Sequence, residues 1–229
     1  MFMFWDPTML IIIPGLIIGM YAQAKVQSAY QKYSKIPSRK GVPGAQVAQA
    51  LLQSQGIHDV KVEMGQGQLT DHYDPRSKVI RLSPAVYQGS TLASLAIAAH
   101  ETGHAIQHNE GYVPLNLRSA IAPAVQFASM AAIPLFILGL FLSMTLARVG
   151  IYLFSAVVVF QLVTLPVEFN ASSRAMNALE GQGFISQEEV KGTQSVLSAA
   201  ALTYVAAVVV SILQLVRLLA IAGMRGGRD

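Results

Sequence analysis

Four long stretches of the chain carry almost no charge, and the charged residues fall between them. From Pro7 to Ala24 no side chain ionises apart from Tyr21, around an apolar core at Met9–Met20. Ser119 to Ala147 is uncharged, Arg148 interrupts, and Val149 to Val167 is uncharged again. The last such stretch runs from Gly192 to Val216. A bilayer core takes ~20 mostly apolar residues as helix. The pattern therefore predicts transmembrane helices at 8–24, 121–146, 149–167 and 198–220. The middle two form a hairpin, 121–167, that turns near Arg148-Val149-Gly150. Pro14, Pro123 and Pro134 fall inside these helices, where neighbouring groups in a membrane protein can satisfy the freed backbone. Uncharged runs of this length leave nothing polar to face water, which argues against buried helices of a soluble domain.

The polar remainder is 25–118 and 168–197. Gly44 to Gln55 carries Val47, Leu51 and Leu52 at helical spacing and ends at Gly56, as a short amphipathic helix does. Val60–Met64 and Lys78–Leu82 alternate and predict strands, the second after a turn at Asp74-Pro75. Ser83-Pro84 reads as an N-cap followed by proline at the first helical position. A longer helix is expected from about Ser90 to His108, before Gly111 and Pro114. Ser186 and Glu189 form a capping box for a helix over 187–197.

Composition sharpens this picture. Apolar residues make up 53% of the 229-residue chain and charged residues 12%, against about 25% charged in soluble domains. Disorder is excluded, since it needs low hydrophobicity and much charge. The absence of cysteine removes disulfides, thiol catalysis and every cysteine-based zinc site. The net charge of +4 matters through its placement. Lys25, Lys32, Lys35, Arg39 and Lys40 follow the first apolar stretch with no acid before Asp59, while Asp6 precedes it. Basic residues beside a span stay cytoplasmic. The expectation is an uncleaved anchor in a bacterial-type cell membrane, with 25–118 and 168–197 in the cytoplasm and both termini outside. Arg225 and Arg228 run against that placement of the tail, and Arg217 is expected to snorkel or lie along the surface. A cleaved signal peptide ending at Ala22-Gln23-Ala24 is the alternative.

The chemistry concentrates in His100-Glu101-Thr102-Gly103-His104. Histidines at i and i+4 lie one turn apart on one helix face, ~6 Å along the axis, so both imidazoles can meet one zinc ion. Glu101, ~100° round the helix, flanks that position and can reach an attacking water. This is the H-E-x-x-H metallopeptidase pattern, here on a predicted helix after two predicted strands. A catalytic zinc takes three protein ligands. His108 stands ~12 Å along the axis from His100, too far to share the ion. The third ligand is therefore a distant Glu, Asp or His. Glu110 is too close to the helix, and Glu180, Glu188 and Glu189 read as solvated charges. Glu168 differs, because it directly follows the third span, where an acid usually has a partner or a task.

His100–Gln107 and Glu168-Phe169-Asn170-Ala171-Ser172 resemble the two signatures of membrane zinc metallopeptidases, the HtpX-like and CAAX-prenyl-protease-like gluzincins. The chain is more similar still to the YugP-type family of membrane neutral zinc metallopeptidases, through Asp71-His72-Tyr73-Asp74-Pro75-Arg76, the strand after it and the spacing of spans. The resemblance implies a mainly α membrane protein of about four transmembrane helices with a small zincin-like α+β part. It implies zinc as cofactor, His100 and His104 as ligands, and Glu168 as the third ligand. The gluzincins carry Asp four residues after that glutamate, where it orients a ligating histidine. Here the position is Ser172, and Ser172 or Asn170 could take that hydrogen bond.

The expected activity is a zinc-dependent endopeptidase acting on proteins at the cytoplasmic membrane face, in membrane-protein quality control. Glu101 is its general base. His72, Tyr73 and Arg174 are candidates to stabilise the oxyanion. Lys78, Val79, Ile80, Arg81 and Leu82 are expected to bind substrate if that strand has an open edge on which an extended peptide can lie. The expected partners are the bilayer and protein or peptide substrates, membrane proteins above all. Nucleic acid is not expected, and an oligomer or regulatory membrane partner stays open. Rival readings are a site-2-type intramembrane protease, an inactive metal-binding scaffold and a transporter. The run before His100 is too short to span and no Leu-Asp-Gly occurs, against the first. Only hydrolysis needs Glu101, against the second. The spans offer only Gln126, Gln161 and Gln214 as polar groups for a pathway, against the third.

Overall fold

The computed structural model describes residues 7–67 and 70–226. Asp6 and Arg228, on which part of the topology expectation rests, lie outside the described residues. The protein is mainly α. Its elements are α1 (Met9–Tyr33), α2 (Gly44–Ser54), β1 (Lys61–Met64), β2 (His72–Asp74), β3 (Val79–Leu82), α3 (Pro84–Tyr87), α4 (Leu92–Asn109), α5 (Val113–Leu142), α6 (Met144–Gly181) and α7 (Gln187–Gly226). Helices α1, α5, α6 and α7 are each long and apolar enough to cross a membrane.

The chain divides into two compact units. One comprises Gln23–Asn116 and Pro166–Leu202 and holds the short elements. The apolar stripe of α2 buries Val47, Ala48, Leu51 and Leu52. Val47 and Leu51 join Ala93, Leu95, Ala96 and Ala99 of α4, Ala175 and Leu179 of α6, and Val196 and Leu197 of α7 in one core cluster. On the other side Ala48 and Leu52 meet Ile80 and Leu82 of β3 and Ala98, Ala105 and Ile106 of α4. Helix α4 starts where Thr91 Oγ1 accepts the Ser94 N–H, a side-chain cap on an otherwise orphan donor. It ends before Gly111, whose φ of 68° is the left-handed turn that favours glycine.

The sheet has the order β1-β3-β2, with β3 parallel to β1 and antiparallel to β2. This corrects the expectation of an open edge at Lys78–Leu82. Val79–Leu82 is the central strand, paired on both sides, and Val79, Ile80 and Leu82 are buried in the core. Arg81 lies between the carboxylates of Glu63 and Asp74, 3.8 Å from each, and Lys78 pairs with Asp59. The edges belong to β1 and β2, and β2, only three residues long, was too short to give a sequence pattern. Asp71 fixes its approach by accepting from the backbone N–H of Ser83 at 2.7 Å and from its hydroxyl.

Two other expectations shift. Residues 187–197 and the last span form one continuous helix, α7. Glu189, read as solvated, is 7% exposed and accepts from the backbone N–H groups of Ser186 and Arg39. It makes the glutamate half of the capping box, the Ser186 hydroxyl donating to Glu188 instead, and ties the segment after α1 to the start of α7.

The second unit comprises Met1–Ala22, Leu117–Leu165 and Thr203–Asp229, of which residues 7–22, 117–165 and 203–226 are described. The hairpin turns at Ser143, earlier than the expected Arg148–Gly150. Glycine makes this turn tight: a Cβ on Gly139 would lie 2.1 Å from the Ala147 nitrogen, and one on Gly150 2.6 Å from that of Phe136. Phe136, Ala147, Ile151 and Leu218 form the core of this unit. Large apolar side chains such as Phe127, Met130, Phe141 and Tyr152 point outward, as lipid-facing residues do. Arg217 donates from Nε to the hydroxyl of Thr8 at 3.2 Å.

Candidate metal centre

His100 and His104 lie one turn apart on α4, and Glu168 reaches them from α6. One ligand atom from each residue lies within 4.8 Å of the other two. A single carboxylate oxygen of Glu168 stands 3.2 Å from His100 Nε2 and 3.5 Å from His104 Nε2. The imidazoles meet edge to face, with ring centroids 4.8 Å apart. Glu168 is 2% exposed.

Helix packing makes this convergence possible. Gly103 lies between the two histidines, and a Cβ there would sit 2.5 Å from the carbonyl oxygen of Ala171 and 3.2 Å from its Cα. The missing side chain lets the backbones of α4 and α6 touch, which brings Glu168 within reach of α4. The unspecified positions of the motif thus include one that only glycine fills without displacement.

The histidine orientations follow from the neighbours of their Nδ1 atoms. Gln107 is fully buried, and its Nε2 donates to the Val167 carbonyl at 2.8 Å and to Asn170 Oδ1 at 2.9 Å. A carbonyl can only accept, so the amide nitrogen must face Val167. Gln107 Oε1 therefore faces His104 Nδ1, 3.0 Å away, and His104 must donate there. Its Nε2 is then left with a lone pair aimed at Glu168. Ser172 Oγ lies 3.2 Å from His100 Nδ1 and can fix that ring in the same way. The serine four residues after Glu168 thus meets one of the two histidines directly. Asn170 acts one step removed, through Gln107.

Two imidazole lone pairs and a buried carboxylate repel one another unless something positive lies among them. Without a metal that is a proton. Burial pushes His104 down, but its hydrogen bond to Glu168 and the charges of Glu101 and Glu168 outweigh this, leaving its pKa above the ordinary histidine value. With a metal the same atoms form a two-imidazole, one-carboxylate set, the donor chemistry of a catalytic zinc. The residues present therefore fit zinc. Glu101 is 8% exposed and near enough for its charge to act on His104, yet its carboxylate is not one of the converging groups.

The remaining candidates each have partners of their own. His108 Nδ1 lies 2.7 Å from the Tyr73 hydroxyl, and burial, with Asp59 and Asp74 nearby, pushes that phenol up to about 12. His72 stands exposed on β2, its Nδ1 donating to the Thr70 carbonyl at 2.7 Å. Arg174 pairs with Glu110 at 2.7 Å and donates from Nε to Asn170 Oδ1 at 2.7 Å. Its link to the histidines runs through Asn170 and Gln107. Sequence reasoning passed over Gln107 as a site residue, although it is one turn beyond His104 on the same face.

Gln107→Leu keeps the volume but removes the acceptor for His104 and the donor to Val167. Zinc affinity is expected to fall about 10–100-fold. Competition with a colorimetric zinc chelator measures it, and unchanged affinity would contradict this role for Gln107.

Residues 8–223 match the family model described as "Putative neutral zinc metallopeptidase". Over 218 residues the chain is 50% identical to "Putative membrane protease YugP" of Bacillus subtilis (strain 168), covering 95% of this chain and 96% of that protein. No solved structure matches. With a match across nearly all its length, a relative named as a membrane protease and four helices able to cross a bilayer, this chain belongs to the neutral zinc metallopeptidase family of membrane proteins.

Proposed function

We propose that the protein is a gluzincin-like zinc endopeptidase that cuts polypeptides at the cytoplasmic face of the membrane. The observation that carries this reading is the convergence of His100 Nε2, His104 Nε2 and a Glu168 oxygen, with Glu101 beside them and outside the ligand set. Zinc held there would acidify a water and polarise the scissile carbonyl. Glu101 takes the proton of the attacking water as its oxygen bonds to the carbonyl carbon, and gives it to the amine as the C–N bond breaks. Gln107 and Ser172 hold the imidazoles with their Nε2 atoms forward. Arg174 steadies Asn170 and, through it, Gln107.

The cytoplasmic placement rests on Lys25, Lys32, Lys35, Arg39 and Lys40, which follow the first apolar stretch with no acid among them. The site draws Glu168 from a helix that also carries a span, so flexible cytoplasmic segments of membrane proteins are the substrates nearest to hand. Clearing such segments is a quality-control task.

Membrane vesicles from cells producing the protein test activity and orientation together. Inside-out vesicles are expected to cleave an added unfolded polypeptide, to stop when a zinc chelator is added, and to recover with zinc. Intact right-side-out vesicles are expected to leave it whole. Cleavage only by right-side-out vesicles would reverse the orientation, and cleavage indifferent to chelator would remove the metallopeptidase reading.

A further inference from the structure

Lys25, Ser28 and Lys32 recur at i, i+3 and i+7 on α1 and share one face of that helix. With Tyr33, and with Ser195 and Ser198 of α7, they line a cavity of about 430 Å³. Its polar lining is two ammonium groups and four hydroxyls, without a carboxylate. Among the described residues neither lysine is ion-paired, and the Lys32 ammonium lies 5.0 Å from the centre of the Tyr33 ring. No carboxylate among the described residues balances either charge, and Tyr33, through its ring and hydroxyl, is the group set against Lys32.

The chain on either wall sets the depth of this cavity. Lys25 is the first charged residue after the uncharged stretch that ends at Ala24. On α7, Lys191 is the last charged residue before the uncharged run to Val216, and Ser198 lies within it. Both walls are thus cut where a helix passes from apolar to polar, the level of lipid headgroups in a bilayer. The two lysines are ~10.5 Å apart along the axis, a gap that two flexible side chains can close around one anion.

We propose that this cavity binds a phosphate group, that of an anionic phospholipid headgroup. The ammoniums neutralise the phosphate and the hydroxyls donate to its oxygens. A zwitterionic choline headgroup brings its own cation against the lysines and binds less well. The bound headgroup joins α1 to α7. The site is separate from the metal centre and does not depend on its chemistry.

The test uses the full-length protein in nanodiscs of phosphatidylglycerol or of phosphatidylcholine, and in detergent with inorganic phosphate. Lipid retention is read by native mass spectrometry and stability by thermal melting. The wild type is expected to retain phosphatidylglycerol in preference to phosphatidylcholine and to melt higher in it. Lys25→Gln/Lys32→Gln should bind it about 25-fold more weakly, at roughly fivefold per lysine. Lys25→Arg/Lys32→Arg should restore binding, and Lys61→Gln/Arg76→Gln, an equal charge loss elsewhere, should leave it intact. Stabilisation by inorganic phosphate with no preference between lipids would support the phosphate site but overturn the lipid as its source. Equal retention by the wild type and the Lys25→Gln/Lys32→Gln variant would overturn the site itself.

Discussion

Glu101→Gln is expected to keep its metal and its fold while losing peptide-bond cleavage. The side chain is 8% exposed on α4, and glutamine fills the same space without adding an unpaired charge. Its carboxylate is not among the three groups that converge on the metal position, so zinc content should match the wild type. The amide cannot take a proton from water, and loss of a general base typically costs ~10²–10⁴-fold in rate. Cleavage of an unfolded polypeptide, measured beside zinc content, reads both consequences. Undiminished cleavage by the variant would mean that another group is the base. Silence of both forms with zinc fully bound would favour the scaffold reading.

Gly103→Ala is expected to damage the site without touching a ligand. The new methyl would sit 2.5 Å from the Ala171 carbonyl oxygen and 3.2 Å from its Cα, so it meets backbone and cannot be relieved by turning a side chain. Helices α4 and α6 must separate. Overpacking of this kind typically costs ~1–3 kcal/mol. Because Glu168 is three residues before Ala171 on α6, the same movement withdraws it from the histidines. A lower melting temperature and at least tenfold weaker zinc binding are expected. Melting curves of the zinc-free and zinc-loaded forms separate the two losses. A variant as stable and as tight-binding as the wild type would show that the two helices need no such contact.

The long-period features were legible in the sequence because membrane spans and the H-E-x-x-H spacing are strong, local patterns. Charge gaps placed four apolar helices, and the i, i+4 histidines required one face of α4. Glu168 stood out by its place after a span, and the structure brings it to both histidines. Features that depend on one element meeting another were not legible. The role of Gly103 exists only through the carbonyl of Ala171, sixty-eight residues on, and that of Gln107 only through Val167 and Asn170. The strand at Val79–Leu82 alternates like an edge strand until β2, three residues long, is found beside it. Glu189 looked like any charged residue in a helix's first turn until Arg39, 150 positions away, donated to it.

Zinc analysis of purified protein, with Glu168→Ala and His108→Ala beside the wild type, tests the central claim most directly. The wild type should hold about one zinc per chain, as a three-ligand site does. Glu168→Ala, confirmed as folded by circular dichroism, should lose most of it, while His108→Ala, which removes only the partner of Tyr73, should keep it. A full site in Glu168→Ala together with an empty one in His108→Ala would contradict the account.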